Sequence, residues 1–335
     1  MVKKSRIRIV DVAAAAGVSP TTASHALSGQ RPVSAATIDR VRQAAADLKY
    51  RPNAIARSLR TQRTDAIALV VPDITNPFYP MVARGVQDAV GIAGYHVLVC
   101  STDADAAREV RMLNDMVARS VDGMIVSLFH ASDDDLVDAR TSGIPFVMLG
   151  SMEGRHLGDR VIGDDKISVA KATRHLIRSG RKRIAFVGAA EGVGPSDSRR
   201  AGYEHALSAA GRRIDKSLVL HSDYSRAGAR EAAGQLLRMS PTVDAIVCAN
   251  DLTAIGVMDA LKSAGLSVPS EVAVVGFDDI ETASLVSPAL TTVDNRAYEK
   301  GVVSGRLLLQ RISGGLKGKF RTVVVPGRFV VREST

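Results

Sequence analysis

The residues able to do chemistry fall into two groups, a polar surface on a basic amino-terminal stretch and polar side chains that follow apolar runs farther on. In the first group, Pro20, Thr21, Thr22, Ser24 and His25 stand on or near the outward side of a short helix. Up to Thr64 there are twelve Lys or Arg and three acids, a net of +9, equal to the net charge of the whole 335-residue chain. Beyond Thr64 the two signs balance. A basic module on a neutral body suggests a polyanionic partner, and phosphate neutralisation is the dominant affinity contribution for DNA. In the second group, Asp73 and Asn76 follow AIALVV, Ser127 lies in GMIVSLF, Asn250-Asp251 follow AIVCA and Asp278-Asp279 follow AVVGF. Polar residues at the carboxyl ends of strands are placed to bind a small ligand, although Asn and Asp there also cap the next helix.

Enzyme chemistry finds little support. GVGPSD (192–197) lacks the third glycine of a dinucleotide fingerprint, and GGLKGKF (314–320) fails the phosphate-loop pattern. Seven scattered His give no metal triad or nucleophile–base pair. Adjacent Asp278 and Asp279 fit binding and turn formation better than acid–base work. No catalytic residue, metal site or cofactor is expected.

The elements that position the first group read clearly. Val12, Ala13 and Ala16 fall at helical spacing, and Gly17 supplies the positive φ that ends that helix. Ser19 is the N-cap of a second helix with Pro20 at its first position, and Ala23, Ala26 and Leu27 form its buried stripe. Small residues let the two helices cross closely, as a helix-turn-helix requires. Ser34 caps a third helix with Ile38, Val41, Ala45 and Leu48 on one face. After Pro52, Asn53 can cap AIARSLR, a segment too short to be a stable isolated helix.

From Asp65 onward apolar strands alternate with amphipathic helices. AIALVV, YHVLVCS, DGMIVSLF, IPFVMLG, RIAFVG, SLVLHS, DAIVCAN and VAVVGFDD read as strands, and 80–93, 106–119, 166–179, 199–210, 227–238 and 252–264 as helices. Repeated βα units with continuous apolar strands imply parallel sheets covered on both faces, and their number favours two lobes. No apolar run reaches membrane-spanning length, and MVKKSRIRIVDV has no apolar export segment, so a cytoplasmic protein without membrane attachment is expected. Cys100 and Cys248 are expected to be free thiols.

DVAAAAGVSPTTASHALSG, VSAATIDRVRQAAADLKYRPN and AIARSL resemble the DNA-binding headpiece of the lactose-repressor/galactose-repressor (LacI/GalR) family of bacterial transcription regulators. VVPDITNPFY, GFDDI, LTTV and the terminal VVREST extend the resemblance over essentially the whole chain. It implies an all-α helix-turn-helix headpiece with a hinge helix, followed by an α/β, two-lobed effector domain of the periplasmic-binding-protein type (type I) with parallel sheets. The expected domains are a headpiece at 1–52, a hinge at 53–64 and an effector and dimerisation domain at 65–335. Its N-lobe would comprise about 65–162 and 291–321, its C-lobe about 163–290 and 322–335, with crossovers near 162–164, 288–292 and 320–323.

For the site, the resemblance implies base contacts in the major groove from Pro20, Thr21 and His25, and backbone contacts from Thr22 and Ser24. Many relatives carry Arg where His25 stands, and imidazole cannot make the bidentate guanidinium contact to guanine. Leu59 would be the apolar wedge in the minor groove, with Ala56 beside it. The effector pocket would use Asp73, Asn76, Phe78, Ser127, Arg199, Tyr224, Asn250 and Asp278. Arg199 matches a ligand-gripping arginine, and Phe78 and Tyr224 could stack on a flat ligand face. Gly150 replaces an aspartate that often follows this strand in sugar-binding relatives. The expected protein is a homodimeric, nucleoid-associated repressor of a catabolic or transport operon, reading a near-palindromic double-stranded DNA operator. A small ligand, a sugar or sugar derivative, would switch it. A purine or nucleoside corepressor, or a DNA-binding protein without any effector, are the alternatives. The dimer would use helix 80–93 and the region 255–285. With VVREST and no heptad segment as its last residues, a tail-built tetramer is not expected.

Overall fold

The computed structural model describes residues 7–29, 31–51, 58, 61, 63–130, 132–150, 158–238 and 243–335. The chain divides into two compact units at Thr64/Asp65. In the first, α1 (Ile9–Ala16), α2 (Pro20–Ser28) and α3 (Ala35–Asp47) surround a core of Val12, Ala13, Ala16, Ala23, Ala26, Val41 and Ala44. Gly17 ends α1 at φ 67°, a left-handed conformation that a side chain would oppose. The Ser19 hydroxyl accepts the Thr22 N–H at 3.1 Å, directly before Pro20. Ser34 accepts the Thr37 N–H in the same way at 3.4 Å. The buried stripe of α3 centres on Val41 and Ala44, with Ile38, Ala45 and Leu48 at its margins. Both hinge expectations, Ala56 and Leu59, lie outside the described residues.

The second unit holds two parallel sheets. The first has the order β11-β5-β4-β3-β1-β2, with β1 (Ala66–Val71), β2 (His96–Ser101), β3 (Gly123–Val126), β4 (Phe146–Leu149), β5 (Asp159–Ile162) and β11 (Thr322–Val324). The second has the order β7-β6-β8-β9, with β6 (Ile184–Gly188), β7 (Val219–His221), β8 (Ala245–Cys248) and β9 (Ala273–Val275). All eight apolar runs read as strands contribute to these sheets. Alternation along β1 explains why the run is apolar throughout. Ile67, Leu69 and Val71 pack under α4 (Phe78–Gly91) and α12 (Ala297–Ile312), while Ala68 and Val70 face α5 (Ala106–Ala118) and α6 (Asp133–Thr141). In the second lobe, Ala185 and Val187 face α9 (Arg226–Leu237) and α10 (Asp251–Ser263). Ile184 and Phe186 face α7 (Asp165–Arg178) and α8 (Ser196–Ala209).

Two lobe boundaries differ from those expected. The strand β10 (Thr292–Asp294) pairs antiparallel with β12 (Arg328–Val330), and Thr291 and Asp294 bridge to Val275 and Asp278. Residues 291–294 therefore extend the second lobe, and the return to the first comes between Asp294 and α12. β11 pairs with β5 in the first sheet, so the last crossing follows Val324 rather than residue 321. Three-residue strands carry too little periodicity to locate such crossings from sequence.

The helix α12, which the apolar pattern did not mark, packs very closely on α4. A Cβ at Gly85 would stand 2.1 Å from the Tyr298 carbonyl oxygen, and one at Gly301 would stand 2.2 Å from that of Val82. Backbone meets backbone there, so neither glycine can carry a side chain without the helices separating.

Candidate functional site

The two lobes meet over two adjoining cavities, which share Phe78, Tyr79, Phe129, Pro195 and Arg199. All eight residues expected in an effector pocket stand in the walls. Ser127 lines the first cavity, Asp73, Asn76, Tyr224, Asn250 and Asp278 line the second, and Phe78 and Arg199 line both. They arrive from the carboxyl ends of β1, β3, β8 and β9, from the start of α8 and from the turn before α9.

Several also hold their own backbone. The Asp73 carboxylate accepts the Thr75 N–H at 2.8 Å, and Asn76 Oδ1 accepts the Phe78 N–H at 3.0 Å at the start of α4. Asn250 caps α10 by accepting the Thr253 N–H at 2.8 Å and donates from Nδ2 to the Tyr224 carbonyl at 3.3 Å. Asp251 turns inward, accepting the Ile280 N–H and the Thr292 hydroxyl at 2.9 and 2.6 Å. Burial raises its carboxyl to about 7, helped by the nearby Asp278 charge. Asp279 pairs with Arg332 at 2.6 Å.

Arg199 is the hub of the cleft. It is 5 % exposed, donates from Nε to Asp165 Oδ2 at 2.9 Å, and lies 3.8 Å from Asp278 Oδ1. Its Nη1 donates to the Ala249 carbonyl, and the guanidinium covers the Phe277 ring at 3.8 Å. Burial pushes the Asp165 carboxyl up, but the charges of Arg199 and Lys300 outweigh it and leave it below the usual carboxylate range. Burial dominates at Asp278 and raises it to about 6 despite Arg199. The Phe129 ring reaches across from the first lobe to Tyr224 with centroids 5.3 Å apart. Its loop is fixed by Glu109, a buried carboxylate that accepts the Phe129 and His130 N–H groups at 2.7 and 2.9 Å.

Sequence reasoning missed Asp165, Asn295, Lys300, Tyr79 and Phe129, all of which line the first cavity. Asp165 opens α7 just beyond β5, and Asn295 follows β10, two short strands without a clear pattern. Lys300 sits on the buried face of α12 with Gly301, Ser304, Gly305, Leu307 and Leu308, a face that apolar periodicity does not mark. Gly150 also lines the first cavity, at φ 100° with open space beside it. An aspartate would fit that space, but the backbone would oppose it.

On the headpiece, Pro20 and Thr21 are exposed, and Thr22, Ser24 and His25 are half-buried on the outer side of α2. The Thr22 hydroxyl pairs with Ser19 Oγ at 2.9 Å. His25 Nδ1 is buried without a hydrogen-bond partner among the described residues.

No helix among the described residues is long and apolar enough to cross a membrane. Residues 8–53 match the model of bacterial regulatory proteins of the lacI family, and 64–331 match that of periplasmic binding proteins and the sugar-binding domain of the LacI family. The chain is 32 % identical over 330 residues to catabolite control protein A of Priestia megaterium, covering 98 % of this chain and 99 % of that one. It is 34 % identical to the ribose operon repressor of Escherichia coli K12 over 90 % of this chain and 92 % of that one. The solved complex of the transcriptional regulator CelR with cellobiose superimposes with a TM-score of 0.75 at 32 % identity, covering 98 % of this chain and 100 % of that one. These relatives are regulators, not enzymes. The chain belongs to the lacI family of bacterial regulatory proteins.

Proposed function

We propose that this protein is a cytoplasmic, nucleoid-associated transcriptional repressor that binds a near-palindromic operator as a homodimer and is released by a small sugar-like ligand in the interlobe cleft. The observation that carries this reading is the joining, in one chain, of a capped helix-turn-helix to a cleft built around a buried arginine. Two-fold protein symmetry calls for two-fold operator symmetry. In the proposed complex Pro20, Thr21 and His25 meet base edges, Thr22 and Ser24 meet phosphates, and Leu59 with Ala56 enters the minor groove. His25 offers Nε2 to a base, one hydrogen bond where an arginine would make two. The proposed domains are the headpiece to residue 52, the hinge to 64 and the two-lobed body beyond.

Exposed apolar side chains support the dimer faces: Met81 is 50 % exposed and Ile92 93 % beside α4, and Leu285 is 73 % exposed at the end of α11 (Glu281–Leu285). Ligand in the cleft would favour one lobe arrangement over another, and that difference sets the largest possible shift in operator affinity. The test is selection of tight-binding duplexes from a random pool, followed by anisotropy titration with wild type and His25→Ala. A near-palindrome should emerge, and the variant should lose about 1–3 kcal/mol on it while changing little on random DNA. An equal loss on both would make His25 a phosphate or structural residue.

A further inference from the structure

Lys300 is 4 % exposed, lies on the buried face of α12, and lines the first cavity. A lysine at such a position is costly unless its charge is answered, because burial disfavours the ammonium. Among the described residues its Nζ has one hydrogen-bond acceptor, the neutral Asn295 Oδ1, while the Asp165, Asp278 and Asp164 carboxylates act on its charge from beyond ion-pair distance. The Phe78 ring closes one side, with its centroid 6.0 Å from Nζ. The neighbouring cation differs: Arg199 is answered by Asp165, Asp278 and a backbone carbonyl. An ammonium donates three hydrogen bonds, so Lys300 retains capacity toward the cavity.

The cleft is also polarised along its length. Lys300 stands at the first cavity with Asp165, Arg199 lies between the two, and Asp73, Asp223 and Asp278 line the second. A ligand matching both ends carries an anionic group at one end and hydroxyl donors at the other. The hydrogen-bonding capacity left on this ammonium matches one anionic group. A phosphate dianion would need a further cation with spare donors, and Arg199 is already shared between two carboxylates.

Resting on the reading of this cleft as the effector site, we propose that Lys300 selects the ligand and that the effector is a monoanionic sugar acid whose carboxylate accepts from the Lys300 ammonium. Its hydroxyls then lie toward Asp73, Asp223 and Asp278. The polar contact replaces water at a desolvated charge, where a charge-assisted hydrogen bond discriminates strongly against a neutral analogue.

Calorimetric titration of the full chain with gluconate, glucuronate and galacturonate, beside glucose, galactose and glucose 6-phosphate, tests this. At least one acid should bind about a hundredfold more tightly than its parent sugar, equivalent to about 2.7 kcal/mol. Lys300→Met should erase most of that preference, and Lys300→Arg, which keeps the charge, should retain part of it. Melting curves of both variants establish that they are folded. Tighter binding of the parent sugar or of the phosphate would overturn the proposal, as would an acid preference that survives Lys300→Met. Neutral-sugar binding that disappears in Arg199→Ala would preserve the effector cleft while overturning the sugar acid. Silence from every compound would remove both.

Discussion

Among single residues, Arg199 carries the most consequence, because it is the cation between two buried carboxylates. Truncating it leaves Asp165 and Asp278 without their shared partner in a site of low polarity. Arg199→Ala should therefore destabilise the body by about 3–5 kcal/mol in urea unfolding, besides abolishing ligand binding. A loss below about 1 kcal/mol would mean that water reaches those carboxylates freely. Asp251 makes a different prediction. Its folded carboxyl is raised to about 7, so the folded state holds a proton that the unfolded chain has released. The associated stability is present below the ordinary carboxyl range and is lost as pH rises toward 7. Across about pH 4 to 7, the stability of Asp251→Asn relative to wild type should improve by about 3 kcal/mol. A pH-independent difference would contradict that assignment.

At the scale of elements, the sequence displays most of the architecture because each βα unit repeats the same local physics. Apolar strands covered on both faces and caps such as Ser19 and Ser34 need no knowledge of distant residues. The expected pocket residues were legible for a related reason: polar groups just past long strands converge when parallel strands share a sheet. Lys300, Asn295 and Asp165 were not, since Lys300 lies on a helix whose packing depends on glycine and the other two follow three-residue β10 and four-residue β5. In α12 the usual apolar stripe is replaced by Lys300, Gly301, Ser304 and Gly305, so hydrophobic periodicity fades where the packing is closest. That packing is testable. Gly85→Ala and Gly301→Ala each force backbone apart and should cost about 2–3 kcal/mol, whereas Gly91→Ala, with open space around it, should cost little or help. Equal effects at all three positions would contradict the close α4–α12 contact.

For the whole molecule, the central claim is that occupancy of a cleft in the body changes affinity for DNA at the headpiece. The charge distribution separates the two tasks, with the net positive charge confined to the first 64 residues and a neutral body behind it. Coupling requires the ligand to distinguish two lobe arrangements, and three segments crossing between the lobes provide the connection through which such a preference acts. The most direct measurement is operator affinity by fluorescence anisotropy at fixed salt, on the duplex selected by the protein, with and without the tightest compound from the calorimetric panel. Wild type should lose operator affinity by about tenfold or more, while Arg199→Ala, verified as folded, should bind the operator normally and show no response. Unchanged wild-type affinity at saturating ligand, or an equal response in Arg199→Ala, would contradict the account.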